Sequence, residues 1–308
     1  MNGADALIET LIFNGVTACF ANPGTSEMQF VGALDRHPAM RPVLCLFEGV
    51  ATGAADGFGR MTGVPACTLL HLGPGLGNGL ANLHNARRAF TPIVNIIGDH
   101  ATWHRALDAP LTSDIAAIAG ATSLWVKSAR SADEVGALAS QAVAASHGPP
   151  GGSASLILPA DCAWSATTQI GPRVPVPAKA APDGAATEEI ARRLKAAKKA
   201  VLLLGSGACG EAALAASGRI ADTGVRVLTD TLIARQPRGA GRFSPDRMMY
   251  FGEMALADLD GIDLMVLVET TAPVAFFAYP DRPSALVPEG CETATLANRG
   301  EDGAAALA

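Results

Sequence analysis

The stretch VLCLFEGVATGAADGFGRMTG, residues 43–63, constrains the fold more than any other part of the chain. Its apolar start, Val43 to Phe47, reads as a buried strand, and a helix rich in Gly and Ala follows directly. Between them stands a single carboxylate, Glu48. One reading is helix capping, since the macrodipole favours negative charge in the first turn. The other is chemistry, because burying an unpaired carboxylate is costly and favours its protonated form. The small residues that follow suit a helix packed tightly on a sheet.

The same alternation recurs along the chain. Residues 2–14 have helical spacing, with Leu7, Ile8, Leu11 and Ile12 on one face and Gly15 closing the helix. Val16–Phe20 reads as a short strand and Asn22–Pro23–Gly24 as a turn. Thr25 or Ser26 can cap a helix starting near Glu27. After the 43–47 strand and a helix over 48–62 come a strand at 65–70, a glycine-rich turn, a helix over 77–89 and a strand at 92–97. Ser123–Val126 and Ser155–Leu158 read as strands flanking a helix at 131–146. Such alternation with short connections predicts a mostly parallel sheet covered by helices on both faces.

A proline-rich segment at 171–182 predicts a linker. A second unit then follows: a helix at 187–197, a strand at 200–204, the turn Gly205–Ser206–Gly207, a helix at 210–223, and strands at 225–228 and 263–268. The tail at 301–308 reads as the start of a helix. The expectation is an α/β chain of two doubly wound, mostly parallel-sheet domains, 1–170 and 185–308, joined by a linker at 171–184.

With 308 residues, 49% hydrophobic and 17% charged, the chain can build two cores. Its net charge of −6 argues against a nucleic-acid surface, and the basic run Arg192, Arg193, Lys195, Lys198 and Lys199 predicts a solvated helix face. None of the six cysteines stands in a metal-ligand spacing. Cys19, Cys45 and Cys67 fall in apolar runs, as buried thiols do in a reducing compartment, and the expected location is the cytoplasm. The N-terminus has no basic, signal-like start, and no apolar run reaches the roughly 18–20 residues of a membrane span. No membrane partner is expected.

Parallel topology places the loops that follow the strands at one edge, where ligands bind in open α/β sheets. These loops are Asn22–Glu27, the Glu48 junction, His71–Gly79 and Gly98–His104. Singly they are weak. The glycines between 73 and 79 fit a tight turn as well as a phosphate cradle, and they lack the dinucleotide spacing. His71 alone fits a hydrogen-bonded structural histidine. Asp99 and His100 have no third metal ligand at a useful spacing. Gly205–Ser206–Gly207 reads as a turn rather than a nucleotide site.

In order along the chain, however, these loops resemble the N-terminal, pyrimidine-binding (PYR) domain of thiamine-diphosphate enzymes of the acetolactate synthase and benzoylformate decarboxylase superfamily. The motifs are F-x-N-P-G-x-x-E at Phe20 to Glu27, a glutamate heading an Ala-Ala-Asp-Gly segment at Glu48 to Arg60, and H-x-G-P-G-x-x-N at His71 to Asn78. Within that superfamily the chain looks most like the large-subunit homologues of acetolactate synthase. Residues 185–308 resemble the family's Rossmann-like central domain more weakly.

The resemblance implies that Glu48 hydrogen-bonds N1′ of the cofactor's aminopyrimidine, holding or sharing a proton, and so promotes loss of the thiazolium C2 proton. It gives His71 a catalytic, proton-relay role facing substrate and brings Thr25 and Ser26 to the substrate. It sets Pro23, Gly24, Gly75 and Asn78 against the cofactor. Asn82 and Asn85 suit polar packing at a subunit interface. The implied assembly is a homodimer or homotetramer acting on a small 2-keto acid with thiamine diphosphate. Mg²⁺ would be held through a third, diphosphate-binding domain. No Gly-Asp-Gly occurs in the chain. The expectation is therefore the first two of three domains, with no metal ligands of their own and no activity alone. FAD, held by central domains in the synthase branch, rests here only on Gly205–Ser206–Gly207 and Arg235 and is left unsupported. Phe47 and Gly49 flank Glu48 where synthases carry His and Gln. Three outcomes thus stay open: carboligation, benzoylformate-type decarboxylation, and a non-catalytic binding or regulatory homologue.

Overall fold

A computed structural model describes residues 1–308. The chain divides into two compact units, Met1–Pro177 and Ala178–Ala308. The first unit runs α1 (Gly3–Phe13), β1 (Ala18–Asn22), α2 (Met28–Arg36), β2 (Arg41–Leu44), α3 (Glu48–Thr62), β3 (Ala66–Leu70), α4 (Leu72–Ala89), β4 (Ile93–Asp99), α5 (Ile115–Gly120), β5 (Trp125–Ser128), α6 (Ala132–His147), β6 (Ser153–Pro159) and α7 (Ala160–Trp164). Every strand pairs in parallel, in the order β2-β1-β3-β4-β6-β5. The chain winds outward from β1 in both directions, so the carboxyl ends of β1 and β3 form a topological switch point.

Alternate strand residues feed two cores. On one face Leu7, Ile8 and Leu11 of α1, Phe30 of α2 and Val135 and Ala139 of α6 pack on Cys19, Cys67, Val94 and Leu156. On the other, Ala51 and Ala55 of α3, Leu76 and Leu83 of α4 and Ile115 of α5 cover Leu70, Ile93, Ile97 and Ile157. Cys19, Cys45 and Cys67 are buried free thiols. The central strands also carry a buried polar ladder: Thr68 donates to Asn95 Oδ1 at 2.9 Å, Asn95 donates to Ser155 at 3.1 Å, and Ser155 meets Ser123 at 2.7 Å.

The structure departs from the sequence reading in three places that bear on the site. The run read as a buried strand at 43–47 forms only the end of β2, an edge strand. Pro42 suits such an edge because it has no N–H to donate. Leu44, Leu46 and Phe47 are 72%, 89% and 49% exposed. Next, the glycine-rich segment after β3 is not a turn. The chain passes from strand to helix at His71, with Leu72 at φ 48°, and the glycines lie inside α4. Gly73, Gly75 and Gly79 are there for contact: a Cβ on Gly79, for example, would sit 2.8 Å from the Thr52 methyl on α3. Third, neither Thr25 nor Ser26 caps α2. Residues Thr25–Glu27 form a 3-10 turn, closed by the Gly24 N–H donating to Glu27 Oε2 at 2.7 Å.

The second unit runs α8 (Gly184–Ala196), β7 (Ala200–Leu204), α9 (Glu211–Ala221), β8 (Arg226–Thr229), β9 (Asp246–Arg247), α10 (Gly252–Asp258), β10 (Leu264–Val268), β11 (Glu292–Ala297) and α11 (Gly303–Leu307). Its sheet is parallel throughout, in the order β11-β10-β7-β8-β9. Both units are thus doubly wound α/β, as the alternation predicts. No helix is long and apolar enough to cross a membrane.

Candidate active site

Glu48 opens α3 directly after the extended residue Phe47, at φ −161° and ψ 137°. Asn22, the last residue of β1, donates to the Cys45 carbonyl at 2.7 Å and fixes the loop that delivers Glu48. The glutamate is 6% exposed although Leu46, Phe47 and Val50 around it face outward. Its carboxylate does not cap the helix. Oε2 accepts from Asn78 Nδ2 of α4 at 3.0 Å, and Oε1 has no donor. A Cβ on Gly75 would lie 2.7 Å from Oε1 and 3.2 Å from the His71 Cβ, so that position must be glycine for the carboxylate to sit where it does.

Two contacts hold α3 and α4 in register for this pairing. Thr52 Oγ1 lies 3.1 Å from both the Glu48 and Gly79 carbonyls, and Asn82 donates to the Gly49 carbonyl at 2.6 Å. Asn82, read from sequence as a polar residue for a subunit interface, is half-buried and makes this bond within the chain. Asn85 is exposed next to His84.

A second cluster occupies the switch point. Glu27 Oε2 lies at hydrogen-bond distance, 2.8 Å, from His71 Nδ1, while His71 Nε2 makes no hydrogen bond. Gly24 lies against the imidazole ring, which a Cβ there would overlap. A Cβ on Gly98 would likewise overlap Glu27 Oε1, a buried atom without a partner. Burial pushes the Glu27 pKa up, with the Gly24 N–H and His71 pulling the other way. Thr25 is exposed and Pro23 and Ser26 are half-buried on the same loop. The chain thus gathers Pro23, Gly24, Thr25, Ser26, His71, Gly75, Asn78 and Glu48 on the carboxyl edge of neighbouring strands. Glu27 and Gly98 are members that sequence reasoning passed over. Their signal was the acid that ends the F-x-N-P-G-x-x-E motif and a glycine at the end of a buried strand.

At the end of β4, Asp99 accepts from the His100 N–H at 2.8 Å and from Arg105 at 3.2 Å. Burial raises its pKa. No third His, Cys, Asp or Glu joins Asp99 and His100 as a metal-binding group.

Residues 1–118 match the family model described as "Thiamine pyrophosphate enzyme, N-terminal TPP binding domain". The chain belongs to the thiamine pyrophosphate enzyme family. It is 53% identical over 313 aligned positions to a Mycobacterium tuberculosis protein with the provisional name acetolactate synthase large subunit IlvX; the match takes in 100% of this chain and 60% of that protein. Over 205 residues, 65% of this chain and 38% of the relative, it is 31% identical to benzoylformate decarboxylase of Pseudomonas aeruginosa.

Among solved structures, a provisionally described thiamin diphosphate-dependent enzyme from Mycobacterium smegmatis superposes with TM-score 0.86. The identity is 26%, with all of this chain and 62% of that one covered. Benzoylformate decarboxylase from Polynucleobacter necessarius superposes with TM-score 0.84 at 23% identity over 100% of this chain and 61% of that one, a likeness of fold. The chain thus spans about three fifths of the length of the first relatives it matches.

Proposed function

We propose that this chain supplies the pyrimidine-binding and central domains of an acetolactate synthase-like enzyme acting on a small 2-keto acid with thiamine diphosphate. The observation that carries this reading is the state of Glu48: buried, held through Oε2 by Asn78, and open at Oε1 beside a glycine that no side chain could replace. That is the form a carboxyl group needs to pair with a ring nitrogen entering along α4. Thiamine diphosphate fits this site, and when bound it supplies the electron sink for breaking or forming the bond next to the keto carbon. Glu48 would hold the aminopyrimidine at N1′ and share a proton with it. Asn78 orients Glu48. Pro23, Gly24 and Gly75 would form the wall behind the ring. His71, with Nε2 unbonded and Nδ1 fixed by Glu27, would move a proton to or from substrate, and Thr25 and Ser26 would face it. In this reading the diphosphate and Mg²⁺ are held by residues outside these two units.

The deciding experiment uses the full-length enzyme and Glu48→Gln. Exchange of the bound cofactor's C2 proton into heavy water should fall at least about 100-fold, the lower end of what a positioned proton donor contributes, with the circular dichroism spectrum unchanged. Unaltered exchange would remove Glu48 from the role. Failure of the wild-type protein to bind thiamine diphosphate at all would leave a non-catalytic homologue.

A second reading, benzoylformate-type decarboxylation, is favoured by the Glu27–His71 pair, because an oriented imidazole suits protonation of a released aldehyde precursor. Product analysis with pyruvate and with an aromatic 2-keto acid separates the two: acetolactate from the first, an aromatic aldehyde from the second.

We also propose a homodimer or homotetramer. Leu44, Leu46, Phe47 and Val50 form an exposed apolar surround to a buried acid, which a second copy would cover. The proposed location is the cytoplasm, on the strength of six cysteines without disulfides.

A further inference from the structure

The turn after β7 is longer than its first three residues. Gly205–Ser206–Gly207–Ala208–Cys209–Gly210 spells G-x-G-x-x-G between a buried strand and α9, and Asp230 follows at the end of β8, about 20 residues on. This is the dinucleotide fingerprint in its structural context. Strand β7 is also the switch point of its sheet, with β8 on one side and β10 on the other. In such a site the second glycine lets the pyrophosphate approach the backbone, and the acid faces the ribose.

Here both positions are taken from within the chain. Glu269 follows β10 in the left-handed region, φ 52°, and is 5% exposed. Its carboxylate lies against Gly207, where a Cβ would overlap Oε2, and its carbonyl lies where a Cβ on Gly205 would be. Lys179 Nζ donates to both carboxylate oxygens, at 2.7 and 2.8 Å, and the Gly303 N–H donates to Oε1 at 3.2 Å. The Ala180 N–H to the Gly300 carbonyl and the Asp302 N–H to the Ala180 carbonyl hold the residue after Lys179 in place. Asp230 accepts from Thr270 at 2.7 Å, and Ser206 Oγ accepts from the Ala234 N–H at 3.0 Å.

We propose that the Glu269 carboxylate, paired with Lys179, stands where this glycine-rich turn would receive a pyrophosphate, so the second unit carries the dinucleotide fingerprint yet is closed to nucleotides by its own side chain. An anion already fills the place, and a second would meet its negative charge. FAD does not fit the turn as it stands. A non-glycine backbone at positive φ is strained, and the strain is maintained because three hydrogen bonds from Lys179 and Gly303 hold the carboxylate. The buried Cys209 thiol beside the turn, its pKa pushed up to about 12 by burial and by Asp230 and Glu269, adds no cation to the site.

The test compares full-length wild-type protein with Glu269→Gly, a replacement at ease at positive φ. Titration calorimetry of the wild type with FAD, NAD⁺ and ADP should give no saturable binding, and the purified protein should be free of flavin colour. Saturable binding of any of the three would overturn the assignment. In Glu269→Gly the turn and Lys179 are uncovered, and inorganic pyrophosphate should bind at least tenfold more tightly than to wild type. Equal affinity would mean that Glu269 does not occupy a phosphate position. Glu269→Asn, which also tolerates the left-handed region and loses the charge, should show the same gain and guards against a folding defect peculiar to the glycine variant.

Discussion

Two glycines, Gly75 against Glu48 and Gly98 against Glu27, decide how closely the site's acids can approach their partners. At Gly75 a methyl group would press on Glu48 Oε1 and the His71 Cβ together. Gly75→Ala in the full-length enzyme should lower turnover about 100-fold, the scale of an ångström of misplacement at a reacting group, while leaving most of the melting temperature intact. Steady-state kinetics with a thermal melt on the same sample checks both. Glu27 gives a pH test. Burial raises its pKa above the ordinary 4.5, so the folded state binds a proton that the unfolded state releases. Stability attributable to Glu27 is therefore full below that ordinary value and declines as pH rises through the folded-state value. Urea titrations from pH 4 to pH 8 should show this decline in wild type, and Glu27→Gln should flatten it. The motifs single out Glu48, His71 and Asn78, and they also include Glu27, to which the sequence reading gave only a helix start. Glu27 escaped, since its partner His71 is brought to it only by the pairing of β1 with β3.

At the scale of elements, α4 shows why glycine-rich helices mislead a propensity argument. Glycine costs a helix about 1 kcal/mol relative to alanine, and the segment 73–79 therefore reads as a turn. In the fold it is helix because contact between α3 and α4 offsets that cost, through Gly79 on Thr52 and the Asn82–Gly49 bond. Two neighbouring glycines of α3 separate the effects. Gly57 is exposed, with nothing within 4 Å of a built Cβ, whereas a Cβ on Gly59 would lie 2.8 Å from the Pro92 carbonyl. Gly57→Ala should stabilise the protein by up to about 1 kcal/mol, and Gly59→Ala should destabilise it by about 1–3 kcal/mol through overpacking. Chemical denaturation midpoints at constant slope would report both. Periodicity found most strands, but it could not find β11, whose sequence ETATLA is largely exposed and carries little apolar signal. It also misplaced 43–47, because an apolar run does not record whether its surface is covered within its own unit.

At the scale of the whole molecule, that uncovered surface lies beside the buried Glu48. Leu46, 89% exposed, stands two residues from a glutamate that is 6% exposed. Leu46→Lys should shift the full-length protein toward monomer in sedimentation or light scattering at fixed concentration, with little change in unit stability, and an unchanged mass would place the contact elsewhere. The edge strand β2 also limits how copies can meet. Arg41 and Cys45 direct their N–H groups to β1, donating to Thr17 and Ala21 at 2.8 Å, so by strand alternation residue 42 faces the open side. Proline there leaves a gap in the donor row that an incoming strand would need. Fibrillar stacking by sheet extension is therefore disfavoured at the very margin where these greasy side chains lie exposed, and in the proposed assembly a second copy would meet them face to face instead.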